Sequence, residues 1–513
     1  MLSDVDTPPL TPARIRLAFS GLALALMLAA LDQSVVATAM PTIVTDLGGL
    51  EHIAWLVTAY LAAVIVATPI SGKLGDIYGR RTVFLVAVVV FIVGSMLCGV
   101  AQSLNQLIAF RAVQGFGGGA LLALAVAMSA DLVSPRELGR YQGYFGAAFG
   151  AASVFGPLVG GFFTEELSWR WIFYINLPIG ALCFAIVAYA FRVPVRRQVR
   201  PFDYAGTMLV AVAVVAVVLV LSWGGTQYPW RSSTILVLAF AGLLATLLFI
   251  AVERRAADPL LPLGLYRDST FTLANAASFF VGFGMFGAIA FLPLFLQVVR
   301  GANPTNSGLL LLPMMLGLIV SALVSGALIT KTGKYKLFPI AGPAVAGFGM
   351  YLMSTMGPTT PRSVITLYMA IVGIGVGLCL QVLVLIAQNT AQPEVVGVAT
   401  SSVAFIRTIG GLVGVAVLGA VFTRRLTAEL ATVAPGTPIN LPRQSGATVP
   451  TQALANLPPD LRAGYVQAFA DALTEAYLWT VPAFGAAAVL AVMLRQVPMR
   501  QEVITAEPAS QSG

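Results

Sequence analysis

LAFSGLALALMLAALDQSVVATA, residues 17–39, is an apolar run with one charged member, Asp32. About 20 apolar residues in helical form cross the roughly 30 Å hydrocarbon core of a bilayer, so the run reads as a membrane-spanning helix. A carboxylate at that depth is costly and rare, which makes it a functional candidate by default. Similar runs recur along the 513-residue chain, which is 58% hydrophobic and 10% charged, with mean hydropathy +0.89. A water-soluble chain carries about 25% charged residues. This one has too few to cover a hydrated surface, and its composition implies an all-α polytopic membrane protein.

Fourteen spans are expected, at roughly 17–39, 53–73, 82–101, 104–127, 141–163, 171–191, 204–222, 233–252, 272–298, 306–329, 337–356, 363–387, 397–422 and 473–494. With both termini inside, nineteen of the 29 basic residues fall in inner segments and eight in outer ones, four of these in the long outer loop 423–472. Short cytoplasmic loops retain Lys and Arg, so this asymmetry sets the orientation in the cytoplasmic membrane. It also accounts for the net charge of +8 without a nucleic-acid-binding patch. Cys98, Cys183 and Cys379 fall within spans without ligand spacing, and the lone His52 falls in an outer loop, so neither a metal nor a cofactor is expected. Arg14, Arg16 and the Ala37-Thr38-Ala39 tripeptide imitate a signal peptide, but cleavage there would discard Asp32; the first span is expected to be retained.

The expected organisation is an inner tail 1–16, a six-helix bundle 17–191, two linker helices with flanking inner loops in 192–271, a second six-helix bundle 272–494 and an inner tail 495–513. An internal repeat supports this 6+2+6 plan. Gly72-Lys-Leu-Gly-Asp76-Ile-Tyr-Gly79-Arg80-Arg81 follows span two, and Gly326-Ala-Leu-Ile-Thr330-Lys331-Thr-Gly333-Lys334 ends span ten, 254 residues later. Paired halves with a site between them near the midplane mark secondary transporters. No G-x-x-x-x-G-K-[ST] phosphate loop is present, so ATP is not the expected energy source, and nothing suggests an enzyme. Gly115-x-Gly117-x-x-Ala120 follows no strand and reads as small-residue helix packing rather than dinucleotide binding.

Several segments carry a resemblance. The turn Gly72, Asp76, Gly79, Arg80, Arg81 resembles the loop-two signature of the major facilitator superfamily. Leu107-Ile-Ala-Phe-Arg111-Ala-Val-Gln114 is similar to that family's span-four arginine motif. Gly143, followed by Gly156-Pro157-Leu-Val-Gly160-Gly161, resembles the motif of its proton-coupled antiporters, with Ala152 in place of a common glycine. Leu31-Asp32 through Pro41, and Trp169-Arg170-Trp171 through Gly180, are similar to signatures of the fourteen-span drug:proton antiporters. The resemblance implies the major facilitator fold and export of lipophilic drugs or toxic compounds, driven by the proton gradient. A dedicated exporter of one secondary metabolite, siderophore or lipid is the alternative. It also implies that Asp76 engages a helix start near Gly397 in the other half and latches the outward-facing state; Thr330 occupies the acid's place in the second copy.

Asp32 and Arg111 each lie seven residues from the outer end of their span, about 10 Å below the surface at 1.5 Å per residue, and are expected to meet. Burial and a nearby arginine act in opposite senses on the acid's hold on its proton, so this pair is the expected coupling site. Candidate cavity residues are Trp55 and Tyr60 on span two, Gln114 on span four, Phe279, Phe283 and Phe286 on span nine, Gln381 on span twelve and Arg407 on span thirteen. The aromatic stripe at i, i+4, i+7 suits helix packing as well as a cavity. Arg407 could repel cations, meet an anionic substrate group, or bond to carbonyls freed at an unwound Gly410-Gly411. No acid lies deep in spans nine to thirteen, so divalent cations are expected to be handled poorly. The expected partners are a small lipophilic substrate, protons and membrane lipid. Loop 423–472 could contact a periplasmic partner.

Overall fold

The computed structural model describes residues 11–48, 54–191, 202–225, 227–256, 258–301, 310–433 and 458–499. Its helices are α1 (Pro12–Leu47), α2 (Ala54–Tyr78), α3 (Arg80–Val100), α4 (Leu104–Ser129), α5 (Pro135–Glu166), the single turn α6 (Trp171–Tyr174) and α7 (Asn176–Ala190). They continue as α8 (Tyr204–Trp223), α9 (Ser233–Glu253), α10 (Ser269–Leu294), α11 (Leu312–Thr332), α12 (Leu337–Met353), α13 (Arg362–Thr390), α14 (Val396–Val433) and α15 (Pro459–Met493). By length and composition, twelve helices among the described residues can cross a membrane.

Side-chain caps mark many starts. Ser103, Ser134, Asp203, Ser232 and Asp268 each accept a backbone N–H of the helix that follows, satisfying donors that have no partner in the first turn. Gly79 (φ 90°) and Gly333 (φ 69°) hold left-handed backbone in the two repeat-related turns, a conformation that Cβ-bearing residues rarely adopt.

Helices α1–α7 pack among themselves, and so do α10–α15. Helices α8 and α9 pair with each other, while α8 also touches α2 and α14. Gly115 and Gly119 of α4 lie against the backbone of Tyr60 and Val64, and Gly117 against that of Phe91, so α4 sits close to both α2 and α3. The two bundles meet through α5–α11, α2–α14, α4–α14 and α5–α13. Among the described residues, the contacts that tie them cluster at the end of the molecule that carries the Gly72–Arg81 turn. There Gly143 and Gly146 face Leu323 and Ala322, and the Gln388 amide donates to the Val126 carbonyl (3.2 Å). An apolar cavity of about 270 Å³ lies between α8–α9 and α2–α14, with Ile65, Val214, Phe249, Tyr266, Phe405 and Ile409 on its walls.

Several boundaries differ from the sequence expectation. The first span, placed at 17–39, belongs to a helix that runs Pro12–Leu47, and the fifth, placed at 141–163, to one that runs Pro135–Glu166. The outer segment 423–472 is not all loop: α14 continues to Val433 and α15 begins at Pro459, absorbing the amphipathic piece near 460–472. Hydropathy marks only the lipid-buried part of a helix, whereas backbone hydrogen bonding carries it on into polar surroundings. Proline fits these starts because its missing N–H has no partner in a first turn. Residues 434–457, His52 and the outermost parts of both tails lie outside the described residues.

Candidate functional site

Helices α1, α3, α4 and α7 bring two charged and several neutral polar groups together inside the first bundle. Asp32 and Arg111 are 1% and 2% exposed, sealed from solvent in this conformation. The Arg111 Nη1 donates to Asp32 Oδ2 at 2.5 Å and to Gln114 Oε1 at 2.8 Å. Asp32 Oδ1 accepts from the Gln114 amide (2.7 Å) and from the Asn176 amide (3.0 Å). Both amides also donate to Ser95 Oγ at 3.0 Å, and Ser95 in turn donates to the Phe173 carbonyl at 2.8 Å. The Tyr60 ring lies under the Arg111 guanidinium, 4.0 Å from its centroid, adding a cation–π contact. A carboxylate held this way has its charge compensated and its lone pairs occupied, which a low-dielectric interior requires.

Asp32 and Arg111, expected to meet from their equal depth, do so here, and Gln114, expected as cavity lining, joins them. Tyr60, expected as cavity lining, belongs to the cluster as well. Ser95 and Asn176 were not anticipated. Asn176 stood in the quoted Trp169–Gly180 segment without a role, and a neutral polar residue in an apolar run carries no charge signal.

The turn after α2 forms a second constellation. Asp76 Oδ2 accepts from the Val398 N–H at 3.0 Å, at the start of α14, while its Oδ1 accepts from Arg80 Nη2 (2.8 Å) and Nε (3.1 Å). A helix N-terminus offers unpaired N–H donors and a partial positive charge, so an acid is well placed there. Arg80 also reaches Asp131 Oδ1 at 2.5 Å and the Ala127 carbonyl at 3.3 Å, and Arg81 donates to the Ala188 carbonyl at 2.5 Å. Asp131, in the turn between α4 and α5, went unanticipated; burial pushes its carboxyl up to about 6, although Arg80 opposes the shift. Gly72 sits against Gly397 and Ser401 of α14. Thr330, in the acid's place in the second copy, donates to the Gly326 carbonyl within its own helix.

On α5, a methyl group at Gly156 would collide with Ser34, and one at Gly160 with Thr38 and Val35, so this part of the motif seats α5 on α1 beside Asp32. The Ser34 hydroxyl donates to the Ala152 carbonyl (3.1 Å) across the same contact. Gly143, at the other end of the motif, packs on Leu323 of α11, and Gly161 is half-buried. Pro157 continues the helix between Gly156 and Gly160.

The remaining cavity candidates are dispersed. Trp55 packs edge-on against Trp223 of α8 (4.8 Å between ring centroids), which ties it to the linker pair rather than to a space between the bundles. The backbones of Phe279 and Phe283 meet Gly410 and Gly414, and the Phe286 ring meets Gly411, so α10 packs closely on α14 and the Phe286 ring serves that contact. Gln381 is half-buried on α13. The expected unwinding at Gly410-Gly411 does not occur: α14 is one helix from Val396 to Val433, because these glycines serve close packing on α10. Arg407 is half-buried, with its Nη1 sealed and unpartnered among the described residues. No cluster of metal-ligating side chains is present among the described residues.

Comparison with known proteins agrees with this geometry. Residues 22–415 match the family model described as the Major Facilitator Superfamily. An uncharacterized MFS-type transporter of Mycobacterium tuberculosis is 42% identical over 493 residues, covering 96% of this chain and 71% of the relative. The multidrug transporter protein MdtP of Bacillus subtilis is 42% identical over 411 residues, covering 80% of this chain and 75% of the relative. The proton:xylose symporter XylE, solved with a bromo-deoxyglucose, shares the fold with TM-score 0.63 at 12% identity, over 96% of this chain and 98% of that one.

Proposed function

Because the chain belongs to the major facilitator superfamily, we propose that it is a proton-coupled antiporter of the fourteen-span type, exporting lipophilic compounds across the cytoplasmic membrane by alternating access. The observation that carries the reading is the sealed Asp32 cluster, with donors converging from α4 and α7 on one acid. An acid inside lipid-embedded protein is costly and rare, which favours a functional role, and the converging donors are what allow it to sit there as a carboxylate. The 6+2+6 plan is supported by the packing of α5 and α12 within their bundles, beside the twelve helices of spanning length, and by the pairing of α8 with α9.

Both termini are placed on the cytoplasmic side in this reading. The contacts between bundles at the Gly72–Arg81 end then close the cytoplasmic face, and the conformation is outward-facing. Asp76 on the start of α14 is its latch. Among the described residues, the hydrogen-bond partners of Asp32 lie in its own bundle, so rigid rocking of two bundles leaves them in place. Helix α5 is the element that could couple the two events. It touches α1 at Ser34, two residues from Asp32, and α11 of the other bundle at Gly143. A shift of α5 on α11 would then loosen the α1 contact and open Asp32 to a proton, which displaces cargo; release of that proton to the inside resets the acid. No cofactor is needed, and the proton gradient supplies the energy.

The test is a pH-jump flux assay in liposomes. Asp32→Asn is expected to insert and fold yet to lose pH-driven efflux, and normal pH-driven transport by that variant would end the proposal. A second reading, a dedicated exporter of one secondary metabolite, siderophore or lipid, draws support from Arg407, which has no partner among the described residues, since a fixed charge suits one chemotype. A substrate panel separates the two.

A further inference from the structure

Three interior cations of the first bundle meet a carboxylate, and a fourth, Arg81, donates to the Ala188 carbonyl. Arg111 pairs with Asp32, Arg80 with Asp76 and Asp131, and Lys73 with Asp258. Arg407 differs. Its side chain makes no hydrogen bond or ion pair with any described residue, and its Nη1 is sealed from solvent. It stands nine residues beyond Val398, about 14 Å along α14 and hence near mid-depth. Its stem lies over Gly282 of α10, where an added methyl would collide with the Arg407 carbonyl and lie 3.1 Å from its Cγ.

A guanidinium carries five N–H donors and stays charged in proteins. The local backbone offers little to receive them, because α14 is unbroken and its carbonyls serve the helix ladder. The neighbouring Cys379 thiol is a weak acceptor. Arg407 is nevertheless only partly buried, so an arriving acceptor can reach part of its side chain. Phe279 and Phe283, half-buried on α10, supply apolar surface close by.

Building on the export reading, we propose that Arg407 is a specificity-determining residue that binds an anionic group, of carboxylate type, on the transported lipophile. Gly282 is the positioning residue that lets its stem lie against α10. The uncompensated charge also disfavours dications, and the planar guanidinium gives a carboxylate two parallel hydrogen bonds that an ammonium cannot.

The test uses three probes with one hydrophobe and different charge: pyrenebutyrate, pyrenebutanol and a pyrenylbutyl-trimethylammonium salt. Binding to the purified full chain in lipid nanodiscs is read by energy transfer from tryptophan. Wild type is expected to bind the anion roughly tenfold or more tightly than the cation, as a charge-assisted pair allows. Arg407→Gln should erase that ranking by weakening pyrenebutyrate while leaving pyrenebutanol unchanged. A flat or reversed ranking in wild type, or one that survives Arg407→Gln, overturns the proposal. Should that variant not fold, Arg407→Lys decides: a severalfold loss for pyrenebutyrate alone supports the role of the planar fork, and no change overturns it. Flux of the three probes under a pH gradient is measured in parallel. Failure of wild type to move any of them ends the export reading, whereas the binding ranking, taken without a gradient, judges Arg407 by itself.

Discussion

Asp32 is held by side chains that differ in how visible they were. Arg111 shares its depth, so a depth count reached it, whereas Gln114, one helical turn further along α4, was expected to line the cavity instead. Ser95 and Asn176 complete the cluster from α3 and α7, and only the packing of those helices against α1 and α4 brings them in. Replacing Asn176 with Leu removes one donor to Asp32 and leaves its acceptor capacity unmet. The expected cost is about 1–3 kcal/mol of stability, read as a lowered unfolding midpoint in detergent, together with slower proton-driven flux. Asp131 offers a different measurement. Its carboxyl, pushed by burial from the ordinary aspartate range up to about 6, binds a proton more tightly in the folded protein than in the unfolded chain. Its contribution to stability is thus greatest at low pH and is lost as pH rises through about 6. Wild type should lose more thermal stability across that window than Asp131→Asn does; equal slopes would remove Asp131 from the account.

Helices α5 and α9 carry the consequences that belong to elements. The glycine motif of α5 was legible as small-residue packing, but its partner was not. The structure assigns one end to α1 and the other to α11, which makes α5 a member of both contacts. Gly160→Leu should drive α5 from α1 and abolish transport, and Gly160→Ala should impair it less; unaltered flux in the leucine variant would deny α5 this part. The linker pair is fastened just as specifically. Lys73, inside the loop-two turn, forms a 2.5 Å ion pair with Asp258 beyond α9, with side chains 5% and 10% exposed. Glu253 accepts from the Leu260 and Leu261 N–H groups to shape the same turn. Removing one partner strands a buried charge, so Asp258→Asn should destabilise by about 3–5 kcal/mol, while the double change Lys73→Met with Asp258→Leu should recover most of it. A thermal-shift cycle of the four proteins measures this directly.

Seen whole, the molecule is two bundles joined at one end, and closure at that end is what a cross-link can test. A Cβ at Gly146 would lie 3.4 Å from the Cβ of Ala322 on α11, close to the roughly 3.5–4.5 Å of a disulfide. The native Cys98, Cys183 and Cys379 are buried and free. Gly146→Cys with Ala322→Cys should therefore form a bond on mild oxidation, stop transport, and regain it on reduction. Full transport with the bond intact would mean that the two bundles do not part along α5–α11 during the cycle.

The amino-acid sequence by itself determined the solvent, the helical class, the internal repeat and the depth of each charge, because those follow from local composition and a fixed rise per residue. The contact of Asp76 with a helix start near Gly397 was implied by the resemblance of the ten-residue turn to the family's loop-two signature, and the structure places Asp76 on the Val398 N–H. The tertiary structure decided which faces meet. It moved Trp55 to the linker pair, turned the Phe286 ring onto α14, kept Gly410-Gly411 helical and left Arg407 without a partner among the described residues. In a chain this apolar, every helix face is compatible with lipid, so hydrophobic periodicity cannot say which side looks inward. Shape at the glycine contacts and the need to pair each buried charge make that choice.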